Sequence, residues 1–310
     1  MTKKLLYILI VLIMIFFLGS CQNKEEPEDV EHEVSEKSEI YPLRIIDDYG
    51  VEINIESTPK KIASGAPSTT EIIYALDKEE LLVGVTSYCN YPSEVSEKEI
   101  IGDYNGPNIE KLIEYGVELY ITDWIDEEIR GQLNAAGIKT VVIYPSTYEA
   151  IYERIELLGS ILDSKDKADE LVANIKDKTA EILEKVKGEE GKRVFFENWH
   201  DPLGTVGQGS FIDEMITMSG GENISGDMQS SYGEFSSELL IERNPEVYLT
   251  TDDGFKTIDD IKERPGYNEI EAIKNDRIYF LDPDITSRPG PRIVIALESI
   301  AKAIYPDKFD

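Results

Sequence analysis

Apolar and polar positions divide this chain into stretches of different period. Between residues 61 and 144, short apolar runs alternate with amphipathic segments. Lys61–Gly65, Leu81–Thr86, Val117–Thr122 and Lys139–Tyr144 read as strands, and Ser68–Leu76, Asn108–Gly116 and Asp126–Gly137 as the helices between them. Buried strands separated by amphipathic helices, several closed by glycine, predict βα units on a mostly parallel sheet. Ahead of them, Leu43–Ile55 holds two short β-rich runs around Asp48-Tyr49-Gly50, the pattern of a hairpin.

The alternation then stops. Residues 147–163 form one helical pattern and Ser164–Gly188 a longer one, with Ala168, Leu171, Val172, Ile175, Ala180, Ile182, Leu183 and Val186 on a single stripe. A helix over that stretch would span roughly 36 Å, the width of a small domain. A strand pattern resumes at Lys192–Asn198, followed by a second alternating set that ends in the helical run after Pro291. The prediction is an α/β fold of two Rossmann-like lobes, residues 43–163 and 189–310, joined by one long rigid helix over 164–188. An internal echo accompanies the two lobes. "EKLIEYGVELYIT" (Glu110–Thr122) and "ELLIERNPEVYLT" (Glu238–Thr250) agree at seven of thirteen positions. Shared helix-turn-strand physics accounts for the apolar matches but not for the exposed Glu110 and Glu238.

The chain's start sets its compartment. Lys3-Lys4 precedes fourteen unbroken apolar residues, Leu5–Leu18, and then "LGSC" ending at Cys21. That is the layout of an export signal, and as a helix of about 21 Å it is short for a membrane span. The cysteine after Leu-Gly-Ser resembles a bacterial lipoprotein box, so residues 1–20 are expected to be removed and Cys21 lipidated; an ordinary signal peptide with a coincidental cysteine is the alternative. Residues 21–42 are acidic and aperiodic, a flexible tether. The expected location is extracytoplasmic, with the membrane engaged only through lipid.

The chain without residues 1–20 carries 29 basic and 62 acidic side chains, a formal charge of −33. Such a surface repels nucleic acid and resists aggregation, which is its simplest reading. With Cys21 lipidated, Cys89 has no disulfide partner. His200 is the sole histidine beyond the tether, His32 lying within it. One cysteine and one histidine leave no material for a cysteine-rich zinc site, and they argue against Ser-His-Asp chemistry. No resident cofactor, metal site or catalytic residue is expected, and the chain is read as a monomer and not an enzyme.

In open α/β sheets, ligands bind at the carboxyl ends of the strands. Here those positions are Ala66-Pro67-Ser68, Ser87–Pro92, Gly102–Asn108, Thr122–Trp124, Glu197–Ser210, Gln229–Phe235 and Asp282–Arg292. Tyr88, Tyr91, Tyr104, Trp124, Trp199 and Tyr232 all fall on them, including both tryptophans. Single aromatics there often pack on their own loop; the set favours a cleft for a broad, flat, partly apolar ligand. Dinucleotide, P-loop and nucleophile-elbow motifs are absent, and "GQGS" at Gly207–Ser210 is a weak anion-site signal. Of the two arginines in "DITSRPGPRIV", Arg288 is expected to reach the cleft beside Asp284, and Arg292 to brace the loop by pairing with an acid. Glu197 is expected in the cleft without a partner.

The segments "SGAPSTTEIIYALD", "LLVGVTSYCNYPSEV", "GDYNGPNIEKLIE", "GSFIDEMITMSGGENI" and "TSRPGPRIV" resemble the extracytoplasmic substrate-binding proteins of ABC importers for cobalamin and for ferric siderophores or haem. The resemblance covers about Leu43–Tyr305, with "SY-x-x-YP" and the aromatic-Asn-Gly pattern nearest the cobalamin-binding branch. It implies a class III periplasmic-binding-protein-like fold. It also implies ligand contacts at Ser68, Tyr88, Tyr104, Trp124 (within one residue), Tyr232, Asp284, Arg288 and Gly290. Glu110 and Glu238 match the two glutamates that dock on a permease, which accounts for the echo. Around "ENWHDP" the pattern departs: Trp199 and His200 lack counterparts and are carried as ligand candidates. His200 has the chemistry to ligate cobalt or iron, although a surface-loop histidine is the simpler reading. The expected function is capture of cobalamin and delivery to an ABC importer permease and its ATPase. A ferric siderophore or haem is the alternative cargo, and a tethered sensor or enzyme domain the minor one. Anionic siderophores call for several cleft cations, and only Arg288, with Arg292 nearby, is available.

Overall fold

The structure is a computed structural model that describes residues 41–309 except Tyr104, Asp253 and Phe255. The expectations for the export signal, Cys21 and Tyr104 therefore lie outside the described residues. The chain opens with an antiparallel hairpin of β1 (Leu43–Ile46) and β2 (Glu52–Ile55). Asp47 builds its turn by accepting from Tyr49 and Val51 amides, and Gly50 supplies the left-handed residue.

Next come β3 (Ile62–Ser64), α1 (Pro67–Ala75), β4 (Leu82–Thr86), β5 (Glu99–Asp103), β6 (Gly106–Pro107), α2 (Ile109–Glu114), β7 (Leu119–Thr122), α3 (Glu127–Ala135) and β8 (Lys139–Val142). They form a sheet of order β6-β5-β4-β3-β7-β8, parallel throughout except for β6. Two helices follow, α4 (Tyr148–Ile161) and α5 (Lys165–Val186), the latter within the 164–188 stretch expected. One detail of its stripe differs. Thr179 is buried and Ala180 exposed, because the Thr179 hydroxyl lies 3.0 Å from the Tyr148 phenol inside the core.

The second lobe contains β9 (Lys192–His200), β10 (Leu203–Val206), α6 (Phe211–Met218), β11 (Gly221–Asn223), β12 (Tyr232–Glu234), α7 (Ser237–Arg243), β13 (Val247–Thr251), α8 (Ile258–Lys262), α9 (Glu271–Lys274), β14 (Ile278–Leu281), α10 (Pro283–Thr286) and α11 (Ile293–Ile304). Its sheet runs β12-β10-β9-β13-β14, with β11 beside the start of β9. This sheet is mostly parallel, with β10 running against the strands on either side of it. β9 continues through Trp199 and His200, and the two residues Asp201-Pro202 lead straight into β10. A parallel return needs a crossover of a dozen or more residues, so β10 must pair antiparallel. The segment read from sequence as a loop is a hairpin.

Side-chain alternation divides the core. Ile62, Leu119, Ile121 and Val141 of the first sheet and Val194, Phe196, Val247 and Leu249 of the second enter one continuous cluster with α4, α5 and α11. The opposite faces have separate clusters, Ala63, Tyr120 and Val142 in the first lobe and Phe195, Tyr248 and Ile278 in the second. The lobes thus share one hydrophobic interior along α5. Glu214 of α6 adds a polar link by accepting from the Tyr148 amide at the start of α4, at 2.5 Å.

Candidate functional site

The carboxyl ends of β3, β4, β5 and β7 border a cavity of about 770 Å³ whose remaining wall is Pro283–Arg288, contributed by the chain beyond β14. Backbone geometry shapes the floor. A Cβ on Gly65 would stand 2.2 Å from the Tyr120 hydroxyl and 2.5 Å from Thr122 Oγ1, so only glycine lets β3 leave the sheet there. Burial pushes the Tyr120 phenol up to about 12, against the opposing hydrogen bond with Thr122, so it is a neutral group at physiological pH.

Of the residues singled out from sequence, Tyr88, Trp124, Asp284 and Arg288 line this cavity. Tyr88 and Trp124 are 56% and 58% exposed, large apolar surfaces held open to solvent. Ser68 and Gly290 are buried against each other, a Cβ at Gly290 falling 3.4 Å from the Ser68 carbonyl oxygen. Trp199 and His200 stand at the tip of the β9–β10 hairpin, with their rings 5.8 Å apart and the indole N–H donating to the Asp201 carbonyl. Tyr232 lies on edge strand β12, and its phenol is pushed up to about 12 by burial and by the neighbouring Tyr144 phenol. Tyr144 follows β8 of the first lobe, with its amide donating to Asp48 of the hairpin turn. It is an exposed strand-end aromatic near Tyr232 that the sequence reading missed, although the same strand-end rule would have found it.

The arginines are held by an acid that was also missed. Glu71, in α1 of the first lobe, accepts from Arg292 Nε at 2.8 Å and Nη2 at 2.6 Å, and from Arg288 Nη1 at 3.3 Å. Arg288 also donates to Asn90 Oδ1 (2.7 Å), the Tyr88 carbonyl (3.3 Å) and Asp284 Oδ1 (2.6 Å), so four of its five N–H groups are used. Arg292 stacks over the Tyr91 ring at 4.0 Å, and the Glu71 hydrogen bond raises its pKa further. The sequence signal was an acid inside the apolar run "TEIIYAL".

Glu197 needs correction. It was expected in the cleft without a partner; it is wholly buried, accepting from the Tyr248 hydroxyl, Arg264 Nη1 (2.5 Å) and Nη2 (3.2 Å), with Lys256 Nζ 3.4 Å away. Burial works against the Arg264 charge, but the carboxylate outweighs it and raises the guanidinium pKa. In the cavity itself, Asp123 has its carboxyl pKa raised by burial, against hydrogen bonds from its own amide and that of Trp124.

Glu110 and Glu238 occupy matching places. Each is the second residue of a helix capped by the side chain two positions earlier, Asn108 accepting from Lys111 N and Ser236 from Leu239 N. Each helix leaves an antiparallel edge strand, β6 or β12, and leads into the parallel strand beside the lobe's first. Both carboxylates are exposed, and the Ser236 hydroxyl, donating at 2.8 Å, holds Glu238 below the usual carboxylate range.

The family profile described as periplasmic binding protein matches residues 62–285. Over 308 residues the chain is 34% identical to an uncharacterized ABC transporter substrate-binding lipoprotein of Bacillus subtilis (strain 168), covering 96% of both. It is 28% identical to the vitamin B12-binding protein of Vibrio parahaemolyticus, over 78% of this chain and 88% of that one. Among solved structures, a possible iron-binding (periplasmic solute-binding) protein from Staphylococcus epidermidis ATCC 12228 superposes with a TM-score of 0.72 and 30% identity, over 80% of this chain and 100% of that one. The apo periplasmic heme-binding protein from Roseiflexus sp. RS-1 superposes with a TM-score of 0.73 and 25% identity, covering 80% and 99%. The chain therefore belongs to the periplasmic binding protein family of ABC-transporter substrate-binding proteins, as its motifs implied. Among the described residues, no helix is long and apolar enough to cross a membrane, and no group of three or more His, Cys, Asp or Glu is placed to hold a metal ion.

Proposed function

We propose that this protein captures a corrinoid, cobalamin or a close relative, in the cleft and delivers it to an ABC importer permease and its ATPase, tethered outside the cytoplasm by lipid on Cys21. The observation that carries the reading is the cavity of about 770 Å³ between exposed Tyr88 and Trp124 on one lobe and Asp284–Arg288 on the other. Aromatic faces suit a flat macrocycle, and the polar strand ends suit its amide fringe. Trp199, His200 and Tyr232 supply the facing wall as the second lobe approaches. The work is binding rather than catalysis. The shared core along α5 and the ties from Arg288 and Arg292 to Glu71 favour modest closure on the ligand. Glu110 and Glu238, at equivalent places, serve as the two docking points for cationic side chains of the permease.

Titration of the full chain, in uncharged detergent, with cyanocobalamin, haem and a ferric siderophore tests the cargo. Quenching of tryptophan fluorescence by cyanocobalamin at micromolar levels is expected. Quenching by the siderophore or haem alone would transfer the same role to an iron complex, the cargo class of two relatives above. Reversing the charge of Glu110 and Glu238 should abolish uptake and leave binding intact; loss of binding would remove them from the docking role.

A further inference from the structure

The charge of the cleft is unlike what an anionic cargo requires. Among the described residues, three carboxylates line the cavity, Asp103, Asp123 and Asp284, against one cation, Arg288. That arginine is already spent: its charge is shared between Asp284 and Glu71, and four of its five N–H groups are engaged within the protein. Asp103 and Asp123 have a different status. Among the described residues, Asp103 accepts only from the Asn105 amide at 2.8 Å, and Asp123 only from backbone amides of its own turn. No ion pair to either is present among the described residues. They project from the carboxyl ends of β5 and β7, strands of one sheet separated by β4 and β3. They thus flank the cavity on either side of the exposed ring of Tyr88, with Trp124 next to Asp123.

Two unneutralised carboxylates facing a partly enclosed, partly apolar cavity repel an anion and stabilise a cation, and the reduced dielectric there strengthens both effects relative to open water. We propose that the cleft selects a metal complex of net positive charge, and that Asp103 and Asp123 supply the selecting field. Among corrinoids this means the aquo form, whose axial water leaves a cation, over the neutral cyano form. The inference rests on the cleft being the ligand site, and it adds the charge class of the cargo.

The test compares dissociation constants for aquocobalamin and cyanocobalamin on the full chain, in mildly acidic buffer where the axial ligand is water. Aquocobalamin is expected to bind about ten-fold tighter at low salt, with the gap narrowing as salt is added. Asp103→Asn and Asp123→Asn should each shrink the ratio, and the double variant should bring it close to one, while Asp103→Glu keeps it. Thermal unfolding of each variant establishes that the fold is intact. An unchanged visible spectrum on binding identifies the gap as electrostatic. A spectral shift showing that a protein group has replaced the axial water overturns the assignment. So does a ratio unaffected by the double variant, or tighter binding of anionic haem. If neither corrinoid binds but a cationic ferric trihydroxamate does, with the same dependence on Asp103 and Asp123, the corrinoid reading fails and the charge assignment stands.

Discussion

Two buried glutamates in this protein do opposite things with the same chemistry. Glu71 and Glu197 are each nearly inaccessible and each faces two cationic side chains. Glu197 is met by Lys256 and Arg264, residues of its own lobe that follow β13, and it anchors them under their own sheet. Glu71 is met by Arg288 and Arg292, more than 200 positions away in the chain. One cluster consolidates a lobe. The other joins the segment beyond the second lobe's sheet to a helix of the first, and its outer edge is the wall of the cleft. A buried ion pair contributes little net stability over an apolar replacement, but losing one partner is costly, so such pairs specify arrangement more than strength.

The comparison can be broken most forcefully at Glu197. Glu197→Ala leaves Arg264 and the Tyr248 hydroxyl without their carboxylate and should cost about 3–5 kcal/mol in urea unfolding, while ligand affinity of the folded fraction stays within about two-fold because the site is not shared. A large loss of affinity would place Glu197 in the cleft after all. Glu71→Gln should cost less, about 3 kcal/mol, since the amide keeps the side chain's volume and one oxygen to accept from the arginines. Here affinity should fall in parallel, because Arg288 loses an anchor beside the ligand. Unchanged affinity would mean that the clasp and the cleft are independent.

Arg292→Lys is milder. It keeps the charge but loses the two-pronged contact with Glu71 and the planar stacking on Tyr91, for an expected 1–2 kcal/mol, or about one charged hydrogen bond. A null effect would assign the bracing to Arg288 alone. The smallest effect concerns Asp123, a part-buried acid with no such partner among the described residues. Its folded-state pKa is raised above the ordinary carboxylate value, so its ionised form burdens the folded state at pH above that raised value, and the burden disappears as pH falls below the ordinary value. Asp123→Asn should therefore raise the melting temperature at neutral pH, and the difference should vanish in acid. A variant less stable than the parent at neutral pH would show that the carboxylate has a cationic partner.

Much of this was legible from local pattern. Strands β3, β4, β7 and β8 of the first lobe, the long helix at Lys165–Val186 and the position of the Asp282–Arg292 corner after a strand all follow from periodicity and turn residues, whereas the short β5 and β6 fell in a stretch read as loop. The β9–β10 hairpin did not, because its outer half carries Asn198, Trp199, His200 and Asp201, polar or aromatic residues on an exposed ribbon with no buried face to impose alternation. Tyr144 was overlooked as the last residue of a strand pattern. Glu71 was illegible for a different reason: its partners are remote in sequence, and nothing in the run "TEIIYAL" names them.

The sequence by itself determined most of the segments that become strands and helices, that these divide into two lobes around one long helix, and which aromatic and charged residues fall at strand ends. Those are consequences of period, chirality and turn chemistry, which act over a few residues. Only the tertiary structure decided which charges are free. It spends Arg288 and Arg292 on Glu71, buries Glu197 among its own cations, and leaves Asp103 and Asp123 facing the cavity without an ion pair among the described residues. Pairing is settled by distances across the fold, to which a linear pattern of residue types is blind.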